Sequence, residues 1–462
     1  MPRWDAIVIG GGVVGCAVLR ELTVNHGWRC LLIERSKHLA SGASSGNTGI
    51  ACTASDVMPG TLEHTCLVDG MRLNRDVYRA LNVPHHPTGS LYVGYSDADI
   101  AALAKDLAMR VERGDASCTM LSADEARSRE PALDATVAGA LFVPGETVVD
   151  PWLVPIAYAR HAHENGATIR CSTEATAATW DGEADGSSWR LTLRSTDPSL
   201  AVAPLQVEEK TRLVVACGGL HGDALESLHR ASPFRIQPRR GDFVLFDDPH
   251  RALGLKDMPV GQVPSATSRG VYVWRSVHGV VACGPTAEDV EEREMPPRST
   301  RAAVSEALRD AAIRAVPQLR DAPLLGTYAG LRPGSDVCKD YQIERVPRKG
   351  WITVGGIRST GLTGSLGIAR YVGGLCEEAL RESGTEATIM RSSASAAGDM
   401  RTTPLPPVAT IVNDFRERGD GYVAFGEDEM GFGAHYVTHP LTRAGFERLA
   451  SFGRCAVRVG RK

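Results

Sequence analysis

The most constraining feature of this chain lies at its start, where Asp5-Ala-Ile-Val-Ile9 runs into Gly10-Gly-Gly-Val-Val-Gly15 and then into a helical pattern over Cys16 to Val24. A run that is apolar on both faces reads as a buried parallel strand. Gly10-x-Gly12-x-x-Gly15 turns the chain, brings bare backbone up to a pyrophosphate and lets the helix pack closely on the strand. The phosphates belong at the helix N-terminus, where free N–H groups and the dipole favour negative charge. A second strand, Cys30-Leu-Leu-Ile33, ends at Glu34, 19 residues beyond Gly15, and puts a carboxylate where a ribose hydroxyl needs an acceptor. This order of elements predicts an α/β fold around a dinucleotide site, without deciding between NAD and FAD.

Composition removes several other classes. Fifty-one basic against 55 acidic residues leave a net charge of -4, with no positive surplus to hold a nucleic acid. No apolar run reaches the length of roughly 18 residues needed for a membrane-spanning helix. The first strand begins so near Met1 that no signal peptide precedes it, which predicts an intracellular, cytoplasmic protein. Eleven cysteines without a C-x-x-C pair speak against a disulfide framework and against a metal site. Glycine, 48 of 462 residues, exceeds the usual share of roughly 7%.

The surplus gathers at strand ends. Ser41-Gly-Ala-Ser-Ser-Gly-Asn-Thr-Gly49 is a polar loop just after the acid strand, Thr211-Arg-Leu-Val-Val-Ala-Cys-Gly-Gly219 is a buried strand ending in a turn, and Trp351 to Thr363 repeats the pattern before a helix running to about Leu380. Junctions so far apart in sequence suggest one sheet assembled around one long ligand, which favours FAD. The residues expected against it are Gly10, Gly12, Val13, Val14, Gly15, Glu34, Arg35, Ser44, Ser45, Asn47, Thr48, Gly49, Cys217, Gly218, Gly356, Arg358, Ser359, Gly361, Leu362 and Thr363.

Further segments are Gly145-Glu-Thr-Val-Val-Asp-Pro-Trp152, Pro238-Arg-Arg-Gly-Asp242, Cys283-Gly-Pro-Thr-Ala287 and Tyr328-Ala-Gly-Leu-Arg-Pro333. With them, the motif order over about residues 3 to 382 resembles the FAD-dependent oxidoreductases of the D-amino-acid oxidase superfamily, in the branch with glycerol-3-phosphate dehydrogenase and L-2-hydroxyglutarate dehydrogenase. The resemblance implies a Rossmann-like FAD-binding domain from residues 1–90, 145–230 and 325–385, interleaved with a mostly antiparallel substrate domain from 85–145 and 231–325. The residues themselves add that Asp150 caps a helix with Pro151 in its first turn, that Gly270 to Cys283 forms a hairpin, and that Thr300 to Val316 is helical. Beyond these, 386–407 reads as a linker and 408–462 as a small appendage with a helix near Thr442 to Ala450. Its lone Cys455 cannot hold an iron–sulfur cluster.

The resemblance implies an enzyme that moves a hydride from a small anionic substrate, a 2-hydroxy acid or a glycerol-3-phosphate type, to flavin N5; an amine or amino-acid oxidase and a non-catalytic flavin-binding protein stand as alternatives. Helix dipole and small polar groups at Thr360-Gly-Leu-Thr363 suit the charge that develops on the reduced ring. Arg332 leads as the anchor for an anion, because a guanidinium grips carboxylate or phosphate bidentately, with Arg358 and Arg240 behind it. Hydroxy-acid members carry a histidine after the Asn-x-Gly turn, and Cys52 stands at that place. A thiol titrating near 8.5 is a poor base at neutral pH, so His64, His278 and Asp56 are the other candidates. Cys338 is the one weak candidate for a covalent flavin tether. The acceptor, whether oxygen, quinone or protein, and the oligomeric state stay open.

Overall fold

The computed structural model describes residues 4–182, 187–199, 206–248, 251–264, 270–295, 301–383, 401–425 and 432–459, with side chains to residue 452. Strand Trp4–Ile9 lies between Cys30–Ile33 and Gln206–Ala216 and runs parallel to both. Thr168–Arg170 continues the parallel sheet beyond Cys30–Ile33, and Trp351–Gly355 continues it beyond Gln206–Ala216. Alternation sorts the side chains onto two faces. Ala6, Val8, Cys30, Leu32, Leu213 and Val215 meet the helices Val13–Arg20, Leu153–Glu164 and Gly361–Glu382. Ile7, Ile9, Leu31, Ile33, Val214 and Ala216 pack instead with Trp189, Leu191 and Trp351, under the antiparallel ribbon Thr173–Trp180 and Trp189–Ser195. A run buried on both faces is why the first strand reads as continuously apolar.

Among the described residues the second sheet has nine strands, mostly antiparallel: eight run in a path from Glu288–Asp289 through Ile236–Phe246, Val281–Gly284, Tyr272–Arg275, Val260–Gln262, Ser90–Gly94 and Gly139–Val143 to Thr119–Ser122, and Leu324–Ser335 pairs with Ile236–Phe246 off that path. The hairpin pairs Tyr272 with Gly284 and Arg275 with Val281, and helix Ala302–Ala315 covers one face of the sheet. The other face presents Tyr92, Phe243, Tyr272 and Tyr328.

Two expectations are corrected. Strand Leu324–Ser335 pairs along its length with Ile236–Phe246, so the piece expected at 325–385 in the first unit begins with a strand of the second sheet. Register explains this: Arg332 lies opposite Arg239 and Ala329 opposite Asp242, over a stretch too long to be given up. The described end of the expected linker is not loose. Arg401 and Asn165 exchange two hydrogen bonds, Leu405 N–H donates to Leu81 O at 2.9 Å, and Leu405 is 3% exposed. Ile411 and Phe415 of helix Val408–Arg418, Phe425 beyond it and Phe446 of helix Pro440–Val459 then join the same core as Trp152. The Cys455 side chain falls outside the described residues. Among the described residues, no helix is long and apolar enough to cross a membrane.

Candidate active site

A cleft of about 1820 Å³ is lined by residues from both sheets. That is larger than the roughly 300–1,000 Å³ of a single small-ligand pocket, so an extended cofactor and a substrate fit side by side. The glycine turn forms one wall. Gly10 has a φ of 112°, and a Cβ there would stand 2.3 Å from Cys217 O; a Cβ on Gly15 would stand 1.9 Å from Gly10 O. Those two glycines are demanded by the chain's own crossing. Gly12 differs, because a Cβ there would meet Ser44 Oγ at 3.1 Å and nothing else within 4 Å, so its bareness keeps the cleft open at the start of the helix. Val13 N–H donates to Ser44 Oγ at 2.9 Å, and Val13, Val14 and Gly15 face the cleft with the helix's first turn. Glu34 accepts from Gly11 N–H at 2.6 Å and from Ser36 N–H at 2.7 Å, which fixes its carboxylate against the turn. These residues suit a dinucleotide: bare backbone, helix N–H groups for phosphates and an oriented acid beside them.

Of the other residues expected at the cofactor, Arg35, Ser44, Asn47, Thr48, Cys217, Gly218, Gly356, Arg358, Ser359, Gly361 and Leu362 line the cleft. Ser45, Gly49 and Thr363 do not, and each has a structural task instead. Ser45 Oγ bonds the Ser41 and Gly42 carbonyls; Gly49, at φ 68°, leaves room for Val149 O; Thr363 Oγ1 accepts Cys52 N–H at 3.0 Å. Burial pushes the Cys217 thiol up to about 12, so it lines the cleft as a neutral group.

The arginines separate clearly. Arg332 lines the cleft, and its guanidinium lies over Gly241 within 3.3–3.4 Å of the carbonyls of Arg239, Arg240 and Thr286. A Cβ at Gly241 would come within 2.6 Å of it. Arg358 also lines the cleft but is paired with the buried Glu63 at 2.6 Å. Arg240 is corrected: it grips Asp242 through Nε and Nη2 and does not reach the cleft.

The candidate bases need similar correction. Cys52 lines the cleft and is 8% exposed. His64 does not line it; the helix Leu62–Ala80 begins at Thr61, whose hydroxyl accepts His64 N–H, and it is Glu63 that faces the cleft. His278 sits in the hairpin turn, donating through Nε2 to the Asp150 carboxylate at 2.5 Å and packed on Phe446, away from the cleft. Asp56 lines the cleft but pairs at 2.6 Å with Arg110, which also holds Asp106. Burial opposes the Arg110 charge, yet Asp56, Tyr92 and Asp106 raise its pKa far above its usual value. Cys338 is exposed and outside the lining.

Among the cleft residues not anticipated are Glu63, Tyr92, Tyr272 and Glu146. Tyr92 and Tyr272 touch hydroxyl to hydroxyl at 2.7 Å. Alternation in Ser90–Gly94 and Tyr272–Arg275 was the available signal, since it turns these rings to one face of the sheet.

Known proteins with the same architecture were found by sequence and by structure. The chain is 29% identical over 374 residues to a glycerol 3-phosphate dehydrogenase of Caloramator mitchellensis, covering 80% of this chain and 73% of that one. It is 26% identical over 296 residues to the mitochondrial L-2-hydroxyglutarate dehydrogenase of Caenorhabditis elegans, covering 64% and 66%. Its structure matches the FAD-bound L-α-glycerophosphate oxidase of Mycoplasma pneumoniae with a TM-score of 0.72 at 25% identity, covering 81% of this chain and 94% of that one. The sequence model of the DAO family, FAD dependent oxidoreductases, matches residues 5–375, and the chain belongs to that family, with FAD as its cofactor.

Proposed function

We propose that the protein oxidises a small anionic alcohol, a 2-hydroxy acid or a glycerol-3-phosphate type, using the cleft between its sheets. The observation that carries this reading is Arg332, a guanidinium in the wall of a cleft that elsewhere has the bare Gly12 turn and the start of helix Gly361–Glu382. Bound FAD supplies the hydride acceptor. Gly12, Val13, Val14 and Gly15 receive the pyrophosphate, Glu34 the ribose, and Ser44, Asn47 and Thr48 the middle of the cofactor. Gly361 and Leu362 bring the positive end of a 22-residue helix to the ring, where reduction builds negative charge. Arg332 binds the carboxylate or phosphate bidentately, and Arg358, neutralised by Glu63, shapes the ring end. The named activities of the relatives, on glycerol 3-phosphate and L-2-hydroxyglutarate, support the same substrate class.

The test is anaerobic addition of glycerol-3-phosphate, 2-hydroxy acids, D-amino acids and N-methyl amino acids to the FAD-loaded protein, with the flavin spectrum recorded. Bleaching by an anionic alcohol is the expected result. Bleaching by an amine alone makes the protein an amine oxidase, and an oxidised flavin throughout leaves a flavin-binding protein without this activity. Re-oxidation of the bleached sample by oxygen or by a quinone identifies the acceptor.

A further inference from the structure

Oxidation of an alcohol needs a group that takes the hydroxyl proton as the hydride leaves carbon. Several carboxylates that line the cleft have other tasks. Asp56 and Asp106 hold Arg110, Glu63 holds Arg358 and the Thr360 hydroxyl, Glu34 holds two backbone N–H groups, and Asp340 accepts the N–H groups of Leu62 and Glu63 at 2.8 Å. Glu146 differs in position. It is 2% exposed, lines the cleft, and accepts a hydrogen bond from the Ser90 hydroxyl.

Its place follows from a chain of contacts. A Cβ on Gly145 would come within 2.8 Å of Thr53 Cγ2, so the Gly145-Glu146 turn is seated on Thr53. Thr53 adjoins Cys52, whose N–H is held by Thr363 in the first turn of helix Gly361–Glu382. Glu146 therefore stands at the ring end of the cleft under the function proposed above. Ser90 and Tyr92 are two apart on one strand and share a face. Ser90 holds the Glu146 carboxylate on the strand face that also carries Tyr92, and Glu146, Tyr92 and Tyr272 line the same cleft; burial raises the Tyr92 phenol well above its usual range, with the Glu146, Tyr272 and Asp56 charges adding to it.

We propose that Glu146 is the proton acceptor of the oxidation, with the Tyr92–Tyr272 pair positioning the substrate hydroxyl; this rests on the proposed substrate class. The C–H bond breaks and its electron pair leaves as hydride to the oxidised flavin, which gains two electrons. The O–H bond breaks and its proton passes to the Glu146 carboxylate, while C–O becomes C=O. The proton returns to water after product leaves.

The experiment compares FAD-loaded parent, Glu146→Gln and Ser90→Ala, using anaerobic reduction by glycerol-3-phosphate and L-2-hydroxyglutarate. Binding of the unreactive product 2-oxoglutarate is read from the oxidised flavin spectrum as a second measure. For Glu146→Gln we expect bound FAD and product affinity within about twofold of the parent, reduction slowed on the order of 10²–10⁴-fold, and loss of the acid limb of kcat/KM. Reduction within about threefold of the parent, with the limb unmoved, overturns the proposal. Ser90→Ala removes a donor to the charged carboxylate, so its acid limb moves to higher pH; an unmoved limb also overturns it, whether or not Glu146→Gln folds. Among the described residues, the other charged or titrating groups around this spot include Tyr92, Tyr272, Asp56, Arg110 and Cys52, and Tyr272→Phe slows turnover while leaving the acid limb in place; a limb lost in Tyr272→Phe assigns the proton to the phenol and overturns Glu146. If the parent is reduced by no anionic alcohol of the panel above, the proposed function falls and takes this inference with it. A reduced parent with an equally fast Glu146→Gln fails this inference alone.

Discussion

At Gly12 the absent side chain is itself functional. The turn tolerates no Cβ at Gly10 or Gly15 because the backbone of Cys217 and of Gly10 is in the way, whereas at Gly12 the nearest obstacle is the Ser44 hydroxyl. Gly12→Val should therefore fold and lose FAD, since its branched side chain projects into the space of the pyrophosphate. Purified variant with no yellow flavin and a melting temperature near that of the FAD-stripped parent is the expected outcome; a fully loaded variant refutes the assignment. Arg332→Ala should do the reverse, keeping FAD and losing about 1.5–3 kcal/mol of binding for an anionic substrate, a fall of roughly 10- to 150-fold in kcat/KM. Unchanged efficiency would remove Arg332 as the anchor. The contrast between Arg332 and Arg240 was not legible in the sequence, where both are arginines in strands that reach the cleft. It appears only when Asp242, two residues on along the same edge of the strand, takes both forks of Arg240. The same holds for His278, whose partner Asp150 lies 128 residues away.

Among the elements, the glycine pattern carried a second message that becomes visible in three dimensions. Helices Leu62–Ala80 and Gly361–Glu382 touch backbone to backbone: a Cβ on Gly367 would stand 2.0 Å from Cys66 O, and one on Gly70 would stand 2.4 Å from Thr363 O. This contact sets where the start of the second helix lies, and with it Thr363, Cys52 and the ring end of the cleft. Gly367→Val should cost about 3 kcal/mol or more through overpacking and weaken FAD binding together with stability. Thermal unfolding and FAD content measured on the same sample check this, and a stable variant that binds FAD normally contradicts it. Strands with continuous apolar runs and helices opened by glycine turns were legible because local chemistry determines them. Strand Leu324–Ser335 was credited to the first unit because its membership depends on a partner some 90 residues away, and periodicity says nothing about the partner's identity.

For the molecule as a whole, Asp150 joins three parts. It caps helix Leu153–Glu164 by accepting from the N–H groups of Trp152 and Leu153 at 2.8 and 2.7 Å, pairs with His278 in the hairpin turn of the second sheet, and accepts from Thr442 Oγ1 at 3.1 Å in the C-terminal helix. That helix is pinned on its far side as well, where Arg448 reaches Asp247 and the Asp248 carbonyl. The C-terminal segment thus braces both sheets; the helix near Thr442 to Ala450 was legible in the sequence, but that its apolar side meets Trp152 was not. Burial alone would push the Asp150 carboxyl up, but the His278 hydrogen bond and charge and the two backbone donors outweigh it and hold the pKa below its usual value. A carboxyl whose folded pKa is depressed contributes stability in full above its unfolded value near 4, and loses it as pH falls through the folded value. Asp150→Asn removes the charge from a buried pair, at a cost of about 3 kcal/mol near neutral pH. Because the parent itself loses this contribution in acid, the gap in melting temperature between parent and variant should be widest near pH 7 and narrow below about pH 4. A gap that stays constant from pH 7 down to about pH 3 would mean that the Asp150 charge contributes nothing to holding the two sheets and the C-terminal helix together.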